Sequence, residues 1–316
     1  MNFRLSPHDS AVFQALFVTF LWSTSWVLIK FGLQDIPPLT FAGLRYALAF
    51  LILLPLALRG RRRAEVRGIP RSDWVRLALL GLLYYTVTQG AQFVALALLP
   101  AVTVNLLLNF TTVIVAFLGV LFLGERLRLT QWVGTVIFVT GALAFFYEDL
   151  VGSGLGRSPL EVFGLVVAVA GVLANAASSV LGRGINRDRR HSAISVTVVS
   201  MGIGAAVLLV SGIALQGLPS LRFSSWLIIA WLAFVNTAFA FTLWNHTLRT
   251  LTAVESSIIN NTMLIQIAVL AWLFLGERLG DVQVDGLLLA AMGILIVQLR
   301  RLPIPGRASE ETREPL

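Results

Sequence analysis

The chain has 316 residues, of which 57% are hydrophobic and 13% charged, with a mean hydropathy of +0.84 and no cysteine. A soluble domain carries about 45–50% apolar and about 25% charged residues, so a water-soluble globule and a disordered chain are both excluded, as are a disulfide scaffold and a thiolate metal site. The net charge of +8 and a pI near 11.1 raise nucleic acid as a partner, a reading that the placement of the basic residues then excludes.

Ten stretches have the roughly 20 mainly apolar residues that a membrane-crossing helix needs. The first, at about 11–33, carries Trp22, Ser23, Trp26 and Lys30. Only Arg4 lies upstream and no small-residue cleavage site precedes Lys30, so it reads as a retained helix rather than a signal peptide. The second, 39–58, holds Leu44-Arg45-Tyr46, and Pro55 near its end. The third, 74–97, presents Tyr85, Gln89 and Gln92 at i, i+4, i+7, and the fourth, 102–123, repeats that spacing with Asn105, Asn109 and Thr112. The fifth, 130–147, is almost wholly apolar apart from Gly134 and Gly141, whose spacing permits close helix packing.

The sixth stretch, 160–181, brings Asn175, Ser178 and Ser179, and the seventh covers 193–215. The eighth, 224–248, has Asn236 and Thr237 near mid-depth, then Trp244, Asn245 and His246. The ninth, 254–275, carries Ser257, Asn260, Asn261 and Gln266, and the tenth, 283–299, carries Gly286 and Gly293. Pro37, Pro38, Pro70, Pro100, Pro159, Pro219 and Pro303 fall between stretches, where a missing N–H costs nothing. Runs such as 101–123 do not alternate, which excludes a β-barrel. The expected fold class is an all-α integral membrane protein of ten transmembrane helices.

Basic residues of short loops collect on the cytoplasmic side. With the amino terminus inside, nineteen arginines fall on the inner side and three, Arg157, Arg222 and Arg278, on the outer side; Lys30 and Arg45 lie within spans. Both termini are therefore expected in the cytoplasm, the protein in the cytoplasmic membrane. The high pI marks topology, and no basic domain large enough to bind nucleic acid is left outside the lipid.

Leu-Phe-Leu-Gly-Glu-Arg-Leu occurs at 121–127 and again at 273–279, an offset of 152. The same offset pairs Gly134 with Gly286, Gly141 with Gly293, Asn109 with Asn261 and Gln131 with Gln283. It superposes five spans on five. An odd number per half sends the two Gly-Glu-Arg corners to opposite faces, which predicts two inverted five-helix repeats over 1–150 and 151–300, with a cytoplasmic tail at 301–316. Such repeats are typical of secondary transporters, whose binding site lies near the midplane between the halves. Gly152-Ser153-Gly154-Leu155-Gly156 follows no strand and reads as the linker.

Five-plus-five helices, the duplicated corner, Trp22-Ser23 with Lys30 and Leu44-Arg45-Tyr46 together resemble the drug/metabolite transporter superfamily, EamA type, over about residues 10–300. Within it, general similarity leans towards the YddG-like exporters of aromatic and other amino acids. The resemblance implies a basket of helices one, three, four, six, eight and nine around a central cavity, and alternating access. Thr112 and Leu264 stand where many members carry a proline about thirteen residues before the corner glutamate, a departure that removes the basis for a proline-kinked gate.

Polar side chains within a bilayer are expensive and mark pathways or helix contacts. The substrate-binding set expected here is Trp22, Ser23, Lys30, Tyr85, Gln89, Gln92, Asn105, Asn109, Asn175, Asn236, Trp244, Asn245, His246 and Asn261. Amides with aromatic rings suit a small solute that has polar ends and an apolar body. Lys30, about one turn from the outer end, has two readings: a snorkelling interface residue, or a carboxylate contact and outer-gate partner. Arg45 has the same two, structural pairing being favoured. For His246 a hydrogen-bonded interface histidine is favoured over a proton-handling one. Glu255 opens the ninth helix as a dipole partner, and Gly124 and Gly276 end helices at the corners.

No acid lies deep in a span, which disfavours exchange through a buried glutamate. No cofactor or metal is expected: three histidines make no His-Glu-x-x-His, and no Gly-Lys-[Ser/Thr] phosphate loop occurs. An intramembrane enzyme built on Ser23 and Lys30 at i, i+7 is the lesser alternative, a broad-range drug exporter the nearer one. The expected function is export of amino acids and related small metabolites by a secondary transporter, working as a monomer.

Overall fold

The computed structural model describes residues 6–59, 61–123, 129–151, 158–187 and 190–299. It is built from ten long helices: α1 Pro7–Gly32, α2 Pro38–Ala57, α3 Arg71–Leu98, α4 Ala101–Leu123, α5 Leu129–Val151, α6 Pro159–Arg187, α7 Ala193–Gln216, α8 over 223–247, α9 over 253–275 and α10 Asp281–Leu299. A short helix, Arg61–Arg67, precedes α3. Among the described residues there is no strand, and nine helices are long and apolar enough to cross a membrane. The corner at 124–128, the linker at 152–156 and the tail at 301–316 lie outside the described residues.

Local chemistry sets the helix ends. Ser6 accepts from the Asp9 amide, Pro7 opens α1, and Asp9 and Lys30 complement the dipole at either end. Ser192 caps α7 through the Ser195 amide. Thr252 and Glu255 form a reciprocal capping box on α9. Gly276 ends α9 with φ +68°, a conformation that a side chain disfavours, as its place in the corner predicted. The predicted helix breaks at the prolines hold at Pro37 and Pro70, which precede helices, and at Pro38 and Pro159, which open them.

The packing follows a two-fold plan. α5 lies along α10 and α2 along α7, and these are the most extensive helix pairs. A Cβ on Gly141 would lie 2.4 Å from the Ala290 amide nitrogen, and one on Gly293 would lie 2.3 Å from that of Phe138. Gly134 faces Gly293, and Gly141 faces Gly286; adding 152 to the first of each pair exchanges the two contacts. The glycine faces of α5 and α10 are therefore occupied by one another. The remaining six helices form two trios, α1 with α8 and α9, and α6 with α3 and α4, each mixing both halves of the chain. Apolar side chains such as Phe13, Leu51, Val166, Val210 and Trp272 stay exposed around the outside, a surface suited to lipid. We call the end where α1 starts the near end, and the end where α9 finishes the far end.

Candidate functional site

Between the trios, with α2 closing one side, lies a cavity of about 350 Å³. That size is within the range of about 300–1,000 Å³ typical of small-molecule sites. Its wall draws on α1, α3, α4, α6, α8 and α9, the six helices the resemblance implied, and also on α2. Seven of the predicted residues meet there: Trp22, Gln89, Gln92, Asn105, Asn109, Asn175 and Asn236.

Most of these amides are held by the backbone or by a neighbour. Asn109 Nδ2 donates to the Asn105 carbonyl at 2.8 Å, and Asn105 Nδ2 reaches the Leu264 carbonyl at 3.4 Å. Asn175 Nδ2 donates to Thr111 Oγ1 at 3.2 Å, tying α6 to α4. Asn236 is fully buried; its Nδ2 donates to the Leu21 carbonyl, and its backbone carbonyl accepts from Trp22 Nε1 at 3.0 Å. Gln89 Oε1 accepts from the Tyr46 hydroxyl at 2.7 Å. The wall is thus preorganised, with amide atoms left over for a solute.

Other predicted residues lie elsewhere. Ser23 is fully buried and bonds the Thr19 carbonyl and Gln266 Oε1, at 2.8 and 2.9 Å, so it ties α1 to α9 rather than facing the cavity. Lys30 Nζ donates to the Leu99 carbonyl at 2.6 Å, at the far end and outside the wall. Ser23 and Lys30 therefore serve different contacts, and the serine–lysine enzyme reading loses its pair. Trp244 packs on Trp22 at 5.3 Å behind the wall, and His246 is exposed at the near end. The side chains of Asn245 and Ser257 lie outside the described residues.

Tyr85 and Asn261 miss the wall by one residue. α3 contains a π turn over Leu82–Thr88. A π turn spends an extra residue, so the face of Gln89 and Gln92 continues back through Tyr84, five residues before Gln89, and Tyr85 is buried against Tyr46 and Tyr84 instead. On α9 the wall runs through Asn260, Met263 and Leu264, about one turn beyond the repeat of Asn105, Leu108 and Asn109. The two halves are not in equivalent positions. Arg45, Tyr46 and Tyr84 also line the wall. The sequence signal for the first two was the polar pair within an otherwise apolar second span.

Among the described residues, three hydrogen-bonded contacts join the trios, and they run from mid-depth to the far end. They are Asn105 to Leu264, Lys30 to Leu99, and the Glu277 carboxylate. The last accepts from the amides of Ala101 and Val102 at 2.6 and 3.2 Å and so caps α4 across the interface. At the near end, His8 Nε2 meets Glu255 Oε1 at 2.9 Å within one trio. The Thr252 amide and His8 hold the Glu255 carboxyl below the usual carboxylate range.

Relatives agree with this architecture. A protein of Bacillus subtilis (strain 168) described as "Uncharacterized transporter YoaV" is 26% identical over 283 residues, covering 88% of this chain and 93% of its own. The "Uncharacterized inner membrane transporter YedA" of Escherichia coli (strain K12) is 28% identical over 260 residues, 79% of this chain and 77% of its own. A "Probable amino-acid metabolite efflux pump" of Salmonella typhimurium is 25% identical over 297 residues, 90% and 93% of the two chains. A solved crystal structure shares the fold with a TM-score of 0.64 at 21% identity, covering 92% of this chain and 96% of that one. The EamA-like transporter family matches residues 9–147 and 162–299, one segment for each repeat. The chain belongs to the EamA-like transporter family and is a multi-pass membrane transporter.

Proposed function

We propose that the chain exports amino acids, aromatic ones included, and related small metabolites across the cytoplasmic membrane by alternating access. The observation that carries this reading is the mid-depth cavity between the two trios, walled by amides and by the rings of Trp22, Trp26, Tyr46 and Tyr84. Rings stack on an apolar side chain while amides satisfy the polar end. Among the described residues the wall has one guanidinium and no carboxylate. A phosphate ester would want several cations and a lipophilic cation would want an acid, whereas a neutral zwitterion needs neither. The relative described as a probable amino-acid metabolite efflux pump supports the same choice.

The excess of arginine at the near end supports a cytoplasmic near end, with both termini inside. The far-end contacts then make an outer gate, closed in this conformation. The repeats are taken as 1–150 and 151–300, the tail as 301–316, and the working unit as a monomer.

Purified protein in liposomes is expected to move labelled aromatic amino acids down a gradient without ATP. Transport of a phosphorylated sugar in place of every amino acid in a broad panel would overturn the substrate assignment.

A further inference from the structure

Arg45 is 6% exposed and lines the cavity from α2. Its guanidinium stands over the rings of Tyr46 and Phe93, 5.1 and 5.9 Å from their centroids. Nη2 reaches Thr237 Oγ1 at 3.5 Å, a long contact, and Nε has no hydrogen-bond partner. No ion pair links Arg45 to a carboxylate among the described residues. Arginine stays charged in any protein environment, and a buried ion pair missing one member is strongly unfavourable. Ring faces offset part of that cost. The fork of donors that matches a carboxylate is left without one.

A second group has the opposite need. Asn236, on the π turn Phe234–Phe239 of α8, is fully buried and lines the same cavity. Its Nδ2 donates to the Leu21 carbonyl, which can only accept, so the amide orientation is fixed by that bond. Its Oδ1 is buried without a partner. One wall therefore holds an unpaired cationic donor on α2 and an unpaired acceptor on α8.

We propose that Arg45 and Asn236 are the two polar anchors of the substrate, the guanidinium taking a carboxylate and Asn236 Oδ1 taking an ammonium. The inference rests on the transport reading above and narrows it to solutes that carry a carboxylate, with zwitterionic α-amino acids using both anchors. The side chain of such a solute falls among the wall's aromatic rings. The two anchors sit on different elements, Arg45 on α2 outside both trios and Asn236 on α8 in the α1 trio, so a bound zwitterion bridges α2 and α8.

The test is equilibrium binding to the purified full-length chain, read by tryptophan fluorescence and by thermal shift. The probes are phenylalanine, phenylalaninamide, N-acetylphenylalanine, 3-phenylpropionate and 3-phenylpropionamide. Wild-type protein should favour phenylalanine over its amide, and over its N-acetyl form, by about tenfold each, the scale of one charge-assisted hydrogen bond. Arg45→Met should bring phenylalanine and its amide within about twofold while keeping the preference over the N-acetyl form. Asn236→Leu should do the reverse. Arg45→Lys, which keeps the charge, should retain part of the carboxylate preference, and the wild-type ranking stands as evidence even if a variant fails to fold.

Equal binding of phenylalanine and its amide by wild type, or an equal loss for all probes in Arg45→Met, overturns the anchor and leaves the amino-acid reading intact. Arg45-dependent binding of 3-phenylpropionate over its amide, without binding of phenylalanine, overturns the amino-acid reading and leaves the carboxylate anchor standing. Binding of no probe overturns both.

Discussion

Replacing Gln92 or Asn109 by alanine removes an amide from the cavity wall without opening the apolar core, so transport should fall several-fold while the melting temperature changes little. Unchanged rates in both variants would mean that the solute takes another path. Tyr84 and Tyr85 give a sharper contrast. Tyr84→Ala should weaken binding of aromatic solutes. Tyr85→Ala should chiefly cost stability, about 3–5 kcal/mol as for other buried aromatic truncations, because its ring is packed against Tyr46 and Tyr84. That contrast was invisible in the sequence. Helical spacing from Gln89 assumes a regular α-helix, and nothing in Leu82–Thr88 announces a π turn. Ser23 was misread for a related reason: a hydroxyl in lipid bonds its own backbone or a neighbouring helix as readily as a solute, and spacing cannot tell which.

At the scale of elements, the α5–α10 contact is where sequence and structure agree most closely. Glycines seven apart on two spans permit close packing, whether with a membrane neighbour or within the chain, and the structure packs those two helices on one another. Gly141→Leu should push the helices apart, since its Cβ meets backbone that cannot rotate away. The cost should reach or exceed the 1–3 kcal/mol usual for overpacking, read as a lower melting temperature in detergent. Glu277 is the corresponding test at the gate. Glu277→Gln weakens a charge-assisted cap on α4 by about 1–2 kcal/mol, enough to raise the far-side-open population about five- to thirty-fold. The chain has no cysteine, so single introduced thiols report that shift directly. At the near end, Glu255 adds stability with a defined pH sense. Its folded-state carboxyl titrates below its ordinary value of 4.5, so the stabilisation is present above that value and is lost as the pH falls through the folded-state value. The melting difference between wild type and Glu255→Gln should be full at pH 7 and should shrink below pH 4.5.

For the whole molecule, the duplicated corner revealed the inverted repeat because a seven-residue identity at a fixed offset, with glycines and amides in register, has no compositional explanation. The paired glycine contacts obey the same two-fold exchange. The closed end was not legible. Glu125 and Glu277 stand in identical sequence, and a transporter that alternates needs its two closed forms to be close in energy. The contact that joins the trios at the far end becomes visible only in the folded chain, where Glu277 caps α4 across the interface. The most direct test of a solute path through the middle of the molecule is an impermeant thiol reagent, applied to either face of liposomes containing Asn109→Cys. The cysteine should react from the near face, and saturating amino acid should slow that reaction. A cysteine that reacts from neither face, or at a rate no amino acid alters, would contradict the account.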